Sequence, residues 1–509
     1  AVVFGARDEN ALPTLTPTVA SNPSSRAATI MAPHDPQDIF HAAEPLLNVA
    51  KDEALGVIAF NVMRRDGYMT HSAGPGYDAP WIRDSYAWGM IPSDVYPQLA
   101  VYTASELRYW MDHQAASGQW VSNAQSGYYD ETAILICAAL DTYRVTGTKA
   151  LLAEQLPRLR KGWVWLRSNT TGRESSYLLW TPVQAPAIAN KQLPVSVDWA
   201  DQVARRNYTG QLNLLWYRAT QSMAVIESVL GNTSEATRAN EYAKRIKTDF
   251  NRLFWTTSSI QTRNAPSVVP FGHYRSWYPD ARDYFELDTN FQAIVYGVAD
   301  AAQTASILSF VQAHQEYLLG AEDGAPPPAK TVYGDYAPDD YAIVRHKIGD
   351  GVYHNAYWMS IGGLAARAYQ RDGQATLTRR VLLGLAGAFK VGQPVASAAE
   401  WYYATGQVGG VASYQWSARV FLDALYKAYL GADDDWSNAK AENLRVSPLF
   451  GEVTGRIKHL GKQITIRTHG AGAYQYAIVN DRTRVESYVI PETLLGDGAT
   501  IDLYLEKGK

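Results

Sequence analysis

The sequence is poor in cysteine and in long apolar runs. Its 509 residues include a single cysteine, Cys137, which excludes an intrachain disulfide and, within the run AILICAAL, predicts a small buried side chain rather than a nucleophile. No apolar run approaches the length of a membrane span, so no contact with a membrane is predicted. Positive charge is not in excess either, because the formal net charge is -4, which argues against nucleic acid as a partner.

Aromatic residues with a polar group are abundant instead. The chain has 33 Tyr and 15 Trp against 12 Phe. Such side chains suit sites where one end of a ring packs against protein and the other end meets a polar ligand. The hydrophobic share of 47% and the charged share of 19% are typical of a globular protein. The excess of Tyr and Trp therefore favours a carbohydrate-binding site in a folded domain.

Three regions differ in their residue pattern. Residues 1–35 are rich in Pro, Ser and Thr without a sustained period, which predicts an extended N-terminal arm. Residues 36–440 contain many helical segments and few strand signals, which predicts a mainly α domain of six helical hairpins closed into an (α/α)6 toroid. Residues 441–509 alternate between apolar and polar and carry turn residues, which predicts a small C-terminal antiparallel β-domain.

The helical segments are predicted from apolar residues that recur at helical spacing. The first one follows Asp38, and Pro45 is expected to begin its main helix because proline fits the first helical turn. The others are predicted near 84–92, 96–115, 129–146, 149–168, 209–230, 234–254, 286–299, 302–318, 353–370, 374–389 and 414–430.

One carboxylate stands in a segment that is dense in aromatic residues. Glu400 lies in SAAEWYYATGQVGGVASYQWSA, residues 397–418, close to Trp401 and Trp416. The glycines of this segment predict a loop between two helices. Pyranose faces stack on aromatic rings while their hydroxyls take hydrogen bonds, so an acid in this setting indicates a sugar-binding cleft. The alternative is a surface Glu on a Tyr-rich loop.

A second segment, GYDAPWIRDSYAW, residues 76–88, places an arginine and an acid side by side. Arg83 and Asp84 follow Trp81, and they could hold two hydroxyls of one sugar, with the arginine donating and the acid accepting. The alternative is an Asp that only stabilises a helix N-terminus.

A third segment, SVDWADQVARRNYTG, residues 196–210, has two acids around a tryptophan. Asp198 and Asp201 flank Trp199, and both acids could reach one cleft if the segment is irregular. The alternative is that Asp201 pairs with one of the nearby arginines.

A fourth segment, GDGVYHNAYW, residues 349–358, combines an acid with a histidine and aromatic rings. It carries Asp350, Tyr353, His354 and Trp358. FELDTN and GDYAPDDY, which precede it in the chain, add Asp288, Asp335 and Asp339. Clustered acids with one His could suggest a metal site, but the spacing matches no Ca²⁺ loop and no HExxH helix. We therefore predict no catalytic metal and no cofactor.

Four segments, taken in order, resemble the glucoamylase family and its trehalase and glucosidase relatives, which are inverting glycosidases on an (α/α)6 toroid. PWIRDS looks like the W-x-R-D-S segment that binds the terminal sugar. YYDETAIL, which contains Asp130, looks like the D-G-P-A-L segment that opens an inner helix. VDWADQVARRNYTG is similar to the acidic Trp loop that carries the general acid. AEWYYATGQVGGVASYQWSA is similar to the A-E-Q-[FY] segment that carries the general base.

The resemblance implies roles for individual residues. Glu400 becomes the general base, and Arg83 with Asp84 become the clamp on the terminal sugar. Asp201 fits the general acid best by its place in the segment, and Asp198 is the alternative. Glucoamylases have Glu at this position, whereas the trehalase and glucosidase relatives have Asp.

The predicted function is therefore an exo-acting, inverting glycoside hydrolase, with an α-glucoside as the first expected substrate. The two carboxyl groups of such an enzyme stand roughly 6.5–9.5 Å apart. Alternatives are a hydrolase of α-L-rhamnosides, α-mannosides or other terminal sugars, a non-catalytic carbohydrate-binding toroid, and a lyase or epimerase that would use His354 and Arg345. The substrate-binding residues predicted in this way are Trp81, Arg83, Asp84, Asp130, Asp198, Trp199, Asp350, Tyr353, His354, Trp358, Trp401 and Trp416.

An oligosaccharide or glycoside is the one partner that the sequence predicts, and it predicts no oligomeric state. The chain begins AVVFGARDEN without an initiator Met. We therefore expect a processed protein whose signal peptide has been removed, and hence a secreted one.

Overall fold

The structure is a computed structural model of the chain. It describes residues 40–86, 97–122, 128–170, 176–181, 198–200, 203, 205, 207–260, 262–264, 268–279, 282–321, 325–341, 351–389, 398–433 and 443–506. The arm predicted for residues 1–35 lies outside these ranges.

Helices dominate the first four-fifths of the described chain. None of them has the length and apolar character of a membrane span. They are α1 (Pro45–Phe60), α2 (Ile82–Tyr86), α3 (Pro97–Asp112), α4 (Asp130–Thr146), α5 (Lys149–Ser168), α6 (Gly210–Val229), α7 (Thr233–Phe254), α8 (Leu287–Val295), α9 (Ala301–Ala313), α10 (Gln315–Leu318), α11 (Met359–Arg371), α12 (Ala375–Ala388) and α13 (Gln415–Ala424, continued by a π-helical turn over Leu425–Tyr429).

Six of these helices contact one another in a closed order. Helix α2 contacts α4, and the contacts continue through α6, α8, α11 and α13 back to α2. All residues of α8 and α13 are buried, as are nearly all those of α4 and α11, which is the pattern of central helices rather than amphipathic surface ones. Helices α1, α3, α5, α7 and α12 pack against one or two members of this ring of six.

Local signals explain where individual helices begin and end. Pro45 is the first residue of α1, as predicted, because its fixed φ suits the first turn. Helix α4 ends at Gly147, which has a φ of 67°. A Cβ at this position would lie 2.5 Å from the carbonyl oxygen of Leu460, so glycine is also needed for the close approach of a neighbouring turn.

Two local predictions are wrong. The helix predicted over 353–370 begins only at Met359, because Tyr353 has a φ of 44° and Trp358 is extended, and neither conformation continues a helix. A β-hairpin was also missed, formed by β2 (Val62–Arg65) and β3 (Tyr68–His71). Its turn residues Asp66 and Gly67 have φ values of 50° and 85°, and the Asp-Gly pair is a strong hairpin signal that the helical pattern around it concealed.

Short strand pairs accompany the helices, and longer strands follow them. The short ones are β1 (Phe40–His41), β4 (Tyr208–Thr209), β5 (Trp255–Thr256), β6 (His273–Tyr274), β7 (Trp277–Tyr278), β8 (Trp401–Tyr402), β9 (Val408–Gly409) and β10 (Ala432–Asp433). The later ones are β11 (Leu444–Val446), β12 (Thr454–His459), β13 (Lys462–His469), β14 (Tyr474–Val479), β15 (Thr483–Val485), β16 (Val489–Ile490) and β17 (Ala499–Leu505).

The largest sheet has the strand order β1-β12-β13-β17-β14-β15. The prediction that the C-terminal strands pair only in antiparallel fashion is wrong at one position, because β13 and β17 are parallel. Strand β17 lies between β13 and β14 and runs antiparallel to β14. Strand β1, at the start of the described chain, joins this sheet through β12.

Buried ion pairs connect the helices to these strands. Asp433, on β10, accepts hydrogen bonds from Arg367 at 2.9 Å and from Arg371 at 2.7 Å, and both arginines lie on α11. Arg367 also pairs with Asp423 of α13, whose carboxylate contacts Lys427 at 2.8 Å. A cluster of charges therefore occupies the junction between α11, α13 and β10.

Candidate active site

Arg83 is held rigidly by one carboxylate. Its Nε and Nη2 donate to the two oxygens of Asp130 at 2.8 and 3.1 Å, and its guanidinium lies 3.9 Å from the ring centre of Tyr128. Burial opposes the charge of Arg83, but Asp130 and Glu131 raise its pKa well above the ordinary value. This fork uses two of the five N–H groups of the arginine and fixes the direction of the other three.

Asp84, the next residue, is a buried acid with an unusual proton affinity. Burial raises its pKa to about 6, although the hydroxyl of Tyr414 and the charge of Arg83 act in the opposite direction. Among the described residues, its Oδ1 is buried without a hydrogen-bond partner. A buried acceptor without a partner costs free energy, and a hydroxyl of a bound ligand would satisfy it.

Glu400 is 8% exposed, and its charge acts on Tyr414, whose hydroxyl is bonded to Asp84. The sequence predicted a loop, and the structure has a short hairpin there, in which Glu400 immediately precedes β8. The main-chain N–H of Val411 donates to its Oε2 at 3.2 Å, and its own N–H donates to the carbonyl of Val411 at 2.8 Å. Gly410 has a φ of 67°, and a Cβ there would lie 2.4 Å from Oε2, so glycine leaves room for the carboxylate.

Tyr414 connects the two acids. Burial raises its pKa far above the ordinary value, and the neighbouring charges of Asp84 and Glu400 raise it further. Its hydroxyl hydrogen-bonds to Asp84. The phenol therefore stays protonated between two carboxylates. Trp81 is half-buried, and its ring lies 6.4 Å from that of Tyr77, centre to centre, and nearly perpendicular to it.

Aromatic rings around Trp199 form a second wall of the site. The ring centre of Trp199 lies 5.2 Å from those of His354 and Trp358 and 5.9 Å from that of Trp416, in each case edge to face. All four residues are buried. We call Trp199, His354, Trp358 and Trp416 the aromatic wall.

The aromatic wall is linked to the Glu400 hairpin through Tyr353. The ring of Tyr353 lies 5.8 Å from Trp358 and 5.9 Å from Trp401, the residue after Glu400. The indole N–H of Trp358 donates to the carbonyl of Tyr353 at 2.8 Å, which fixes the strained Tyr353 backbone. The predicted aromatic residues are thus brought together from segments far apart in sequence.

Asp198 belongs to a network of buried charges. It pairs with Arg205 at 3.3 Å and accepts a hydrogen bond from the main-chain N–H of Ala200 at 3.0 Å. Its charge acts on Asp130, whose pKa is raised by burial and by Asp198 and lowered by Arg83. Asp198 is therefore close to the Arg83–Asp130 pair.

The sequence did not predict which groups pair with Arg205. Arg205 also contacts Glu286 at 2.7 Å and Asp288 at 3.1 Å, and the indole N–H of Trp199 donates to Asp288 at 2.7 Å. Glu286 and Asp288 stand in FELDTN at the start of α8, a segment noted for its acid Asp288, but no local pattern in it indicates a contact with Arg205 or Trp199.

Two predicted residues lie outside the described part of the chain, namely Asp201, the first choice for the general acid, and Asp350. Arg345, considered for a lyase, also lies outside it. His354 belongs to the aromatic wall. Among the described residues no group of three or more His, Cys, Asp or Glu side chains is arranged to hold a metal ion.

The buried acid Glu131, behind Arg83, gives a testable pH dependence. Burial raises its pKa from 4.5 to about 7, and its Oε1 has no hydrogen-bond partner among the described residues. Between these values the folded state holds a proton that the unfolded state has lost, so the stability should fall as the pH rises from about 4.5 to about 7. Glu131→Gln is neutral at every pH and should escape this fall.

The measurement is the free energy of unfolding of wild type and Glu131→Gln at about pH 4.5 and about pH 7.5, on either side of this range. The difference should move in favour of the variant by up to about 3 kcal/mol as the pH rises. Other titrating groups are common to both proteins and cancel. A difference that stays constant with pH would contradict the raised pKa.

No family model matches this chain, and no curated protein sequence matches it. Solved structures do share its fold. One titled a sialidase aligns over 84% of this chain and 38% of its own, with 11% identity and a TM-score of 0.59. The GH78 family rhamnosidase of Bacillus sp. GL1 aligns over 85% of this chain and 42% of its own, with 15% identity and a TM-score of 0.54.

A third structure, an uncharacterized conserved protein from Thermus thermophilus, aligns over 74% of this chain and 99% of its own, with 13% identity and a TM-score of 0.50. The chain spans about two-fifths of the length of the first two structures. Identities this low show the fold alone, and none of the three is titled a glucoamylase. The chain has a fold that it shares with glycoside hydrolases.

Proposed function

We propose that this protein is a glycoside hydrolase that releases a terminal sugar with inversion of configuration. The ring of six helices would be the inner layer of an (α/α)6 toroid, and the site would lie where these helices begin. The observation that carries the proposal is the position of Glu400. It is a nearly buried carboxylate beside Asp84 and Tyr414, next to an aromatic wall that suits a sugar ring.

Glu400 would act as the general base. Its Oε2 is fixed by the N–H of Val411, and its environment is dense in aromatic rings, so the carboxylate is pre-oriented toward a water on one face of the sugar. Inversion requires that this water attack the anomeric carbon from the face opposite the leaving oxygen. A second carboxyl must protonate that oxygen.

The segment that contains Trp199 would supply the general acid. Asp198 is poorly suited, because its carboxylate is already bonded to the guanidinium of Arg205 and to a main-chain N–H rather than directed at a ligand. Asp201, three residues further on, is therefore our choice. Exchange of Asp201 for Asn should lower hydrolysis of substrates with poor leaving groups far more than that of activated aryl glycosides.

Asp84 would bind a hydroxyl of the terminal sugar through its Oδ1. Asp84→Asn keeps the shape but replaces one acceptor with a donor, so we expect kcat/KM to fall by about 10²-fold, since a mismatched buried polar contact costs about 1–3 kcal/mol. The measurement is steady-state kinetics on the best glycoside. A change of less than about threefold would remove Asp84 from the sugar site.

The sugar itself has two supported candidates. An α-L-rhamnoside is favoured by the structural likeness to a rhamnosidase, and an α-glucoside by the likeness of PWIRDS to a glucose-binding segment. The experiment is a screen of the purified protein against aryl glycosides and natural disaccharides, with and without inorganic phosphate, followed by identification of the monosaccharide. Release of a free sugar without phosphate supports a hydrolase, and strict dependence on phosphate would contradict it.

A further inference from the structure

A single buried arginine links residues 198–200, which we call the Trp199 segment, to helix α8. Arg205 is 1% exposed, and its guanidinium contacts three carboxylates. It lies 3.3 Å from Asp198, 2.7 Å from Glu286 and 3.1 Å from Asp288. Its guanidinium carbon is also 5.7 Å from the ring centre of Trp199.

These contacts join two parts of the site that are distant in sequence. Asp198 and Trp199 belong to the segment expected to carry the general acid, whereas Glu286 and Asp288 stand at the start of ring helix α8. Asp288 accepts hydrogen bonds from both Arg205 and the indole of Trp199. The segment is therefore attached to a rigid helix through one shared carboxylate.

The same attachment determines where the aromatic wall stands. Trp199 contacts the other three rings of the wall, as Trp358 does, but Trp199 is the one that belongs to residues 198–200. Because its indole N–H is bonded to Asp288, a shift of the Arg205 network would move the edge of Trp199 against His354 and Trp416. The hydroxyl of Tyr336 adds a further hydrogen bond to this network, which it donates to Glu286 at 2.6 Å.

From this geometry we infer that Arg205 is a positioning residue for catalysis: it fixes residues 198–200 against α8 and so sets the place of Trp199 and the aromatic wall relative to the sugar. It does not touch the reacting atoms in this role. The inference rests on the proposed function for its catalytic consequence. The attachment of residues 198–200 to α8 is a separate consequence that can be measured without a substrate.

Arg205→Lys tests both consequences. Lysine keeps the charge but cannot reach three carboxylates with a planar fork, so the segment should lose its fixed place. We expect kcat to fall by about 10²-fold, because a displacement of about 1 Å in the groups that position the sugar costs that much. KM should change by less than about threefold, since Arg83 and Asp84 still hold the sugar. Hydrogen–deuterium exchange of the peptide that covers residues 198–200 should become faster.

Arg218→Lys is the matched control. Arg218 is also completely buried and pairs with a carboxylate, that of Asp141 at 3.0 Å, but it lies in α6 away from the Trp199 segment. If exchange of a buried arginine for lysine lowered activity only by destabilising the fold, Arg205→Lys and Arg218→Lys would lose activity to the same extent. We expect Arg218→Lys to keep kcat within about threefold, as a loss of stability alone leaves the folded fraction active.

Asp288→Asn is the second variant, for the case that Arg205→Lys does not fold. It keeps every ring of the aromatic wall and removes the charge of the carboxylate that Arg205 and the indole of Trp199 share. The exchange at residues 198–200 should again become faster, and kcat should fall. Unchanged exchange at residues 198–200 in this variant overturns the attachment.

The outcomes separate this inference from the proposed function. Unchanged exchange at residues 198–200 in Arg205→Lys, or a kcat within about threefold of wild type, overturns the positioning role even if the protein hydrolyses glycosides. Equal losses of kcat in Arg205→Lys and Arg218→Lys also overturn it. If no glycoside is hydrolysed by wild type, the proposed function fails, and faster exchange in Arg205→Lys but not in Arg218→Lys still supports the attachment.

Discussion

Exchange of Glu400 for Gln should lower kcat by about 10³-fold while leaving the affinity for the sugar almost unchanged, because a general base contributes about 10²–10⁴-fold. Glutamine has the same shape, and its carbonyl oxygen can still accept the hydrogen bond that the N–H of Val411 donates to Oε2. The amide cannot take a proton from water, however. The loss should therefore appear in kcat rather than in binding, which calorimetric titration with the released monosaccharide would measure.

A control must show that the loss is not caused by a change of fold. Glu241→Gln is suitable, because Glu241 lies on α7 and makes an exposed ion pair with Lys244. This variant should keep the activity of wild type. Near-normal turnover in Glu400→Gln would remove Glu400 from the mechanism, and a loss of binding together with turnover would indicate a structural role instead.

Asp433→Asn should cause the largest loss of stability among single amide substitutions at the charged junction. Asp433 is 3% exposed and accepts hydrogen bonds from both Arg367 and Arg371. The substitution removes the negative charge and leaves the buried Arg367 and the half-buried Arg371 without their shared partner. Breaking a buried pair on one side costs about 3–5 kcal/mol, because the remaining charge stays desolvated.

Thermal unfolding of Asp433→Asn and wild type measures this effect, with Glu241→Gln again as the control. The melting temperature of Asp433→Asn should be several degrees lower, whereas that of Glu241→Gln should not change measurably, since exposed ion pairs contribute little. Equal melting temperatures for all three proteins would show that solvent or other side chains compensate the two arginines.

The helices could be predicted well where their ends carry strong local signals. The segments predicted at 149–168 and 234–254 are observed at Lys149–Ser168 and Thr233–Phe254. Prediction failed where a special backbone conformation interrupts the pattern. Tyr353 has a positive φ, and helix α11 begins only at Met359. The spacing of apolar residues gives no sign of this positive φ.

The candidate site shows the same division. Arg83, Asp84 and Glu400 were predicted from short segments in which the reactive groups stand beside aromatic residues. In the structure Arg83 adjoins Asp84, and Tyr414 hydrogen-bonds to Asp84 while the charge of Glu400 acts on it. Their roles remain predictions. Arg205 could not be recognised in the same way, because its carboxylate partners Glu286 and Asp288 are 81 and 83 residues away along the chain. Contacts of this kind depend on how α8 packs, which no local pattern contains.

The strand arrangement of the large sheet illustrates a further limit. Alternation in β13 and β17 predicts two half-buried strands, and both are observed. Which strand pairs with which depends on the insertion of β17 between β13 and β14, a choice made by tertiary packing. Local residues alone therefore predict the strands but not their parallel pairing.

The central claim is that a base on one side of the sugar directs a water against the anomeric carbon. Proton NMR during the first minutes of hydrolysis of an aryl glycoside by wild-type protein tests this claim most directly. We predict that the first sugar released has the anomeric configuration opposite to that of the substrate, and that mutarotation follows later. First release of the same anomer as in the substrate would contradict the account, because a retaining reaction forms a covalent intermediate and needs Glu400 in a different role.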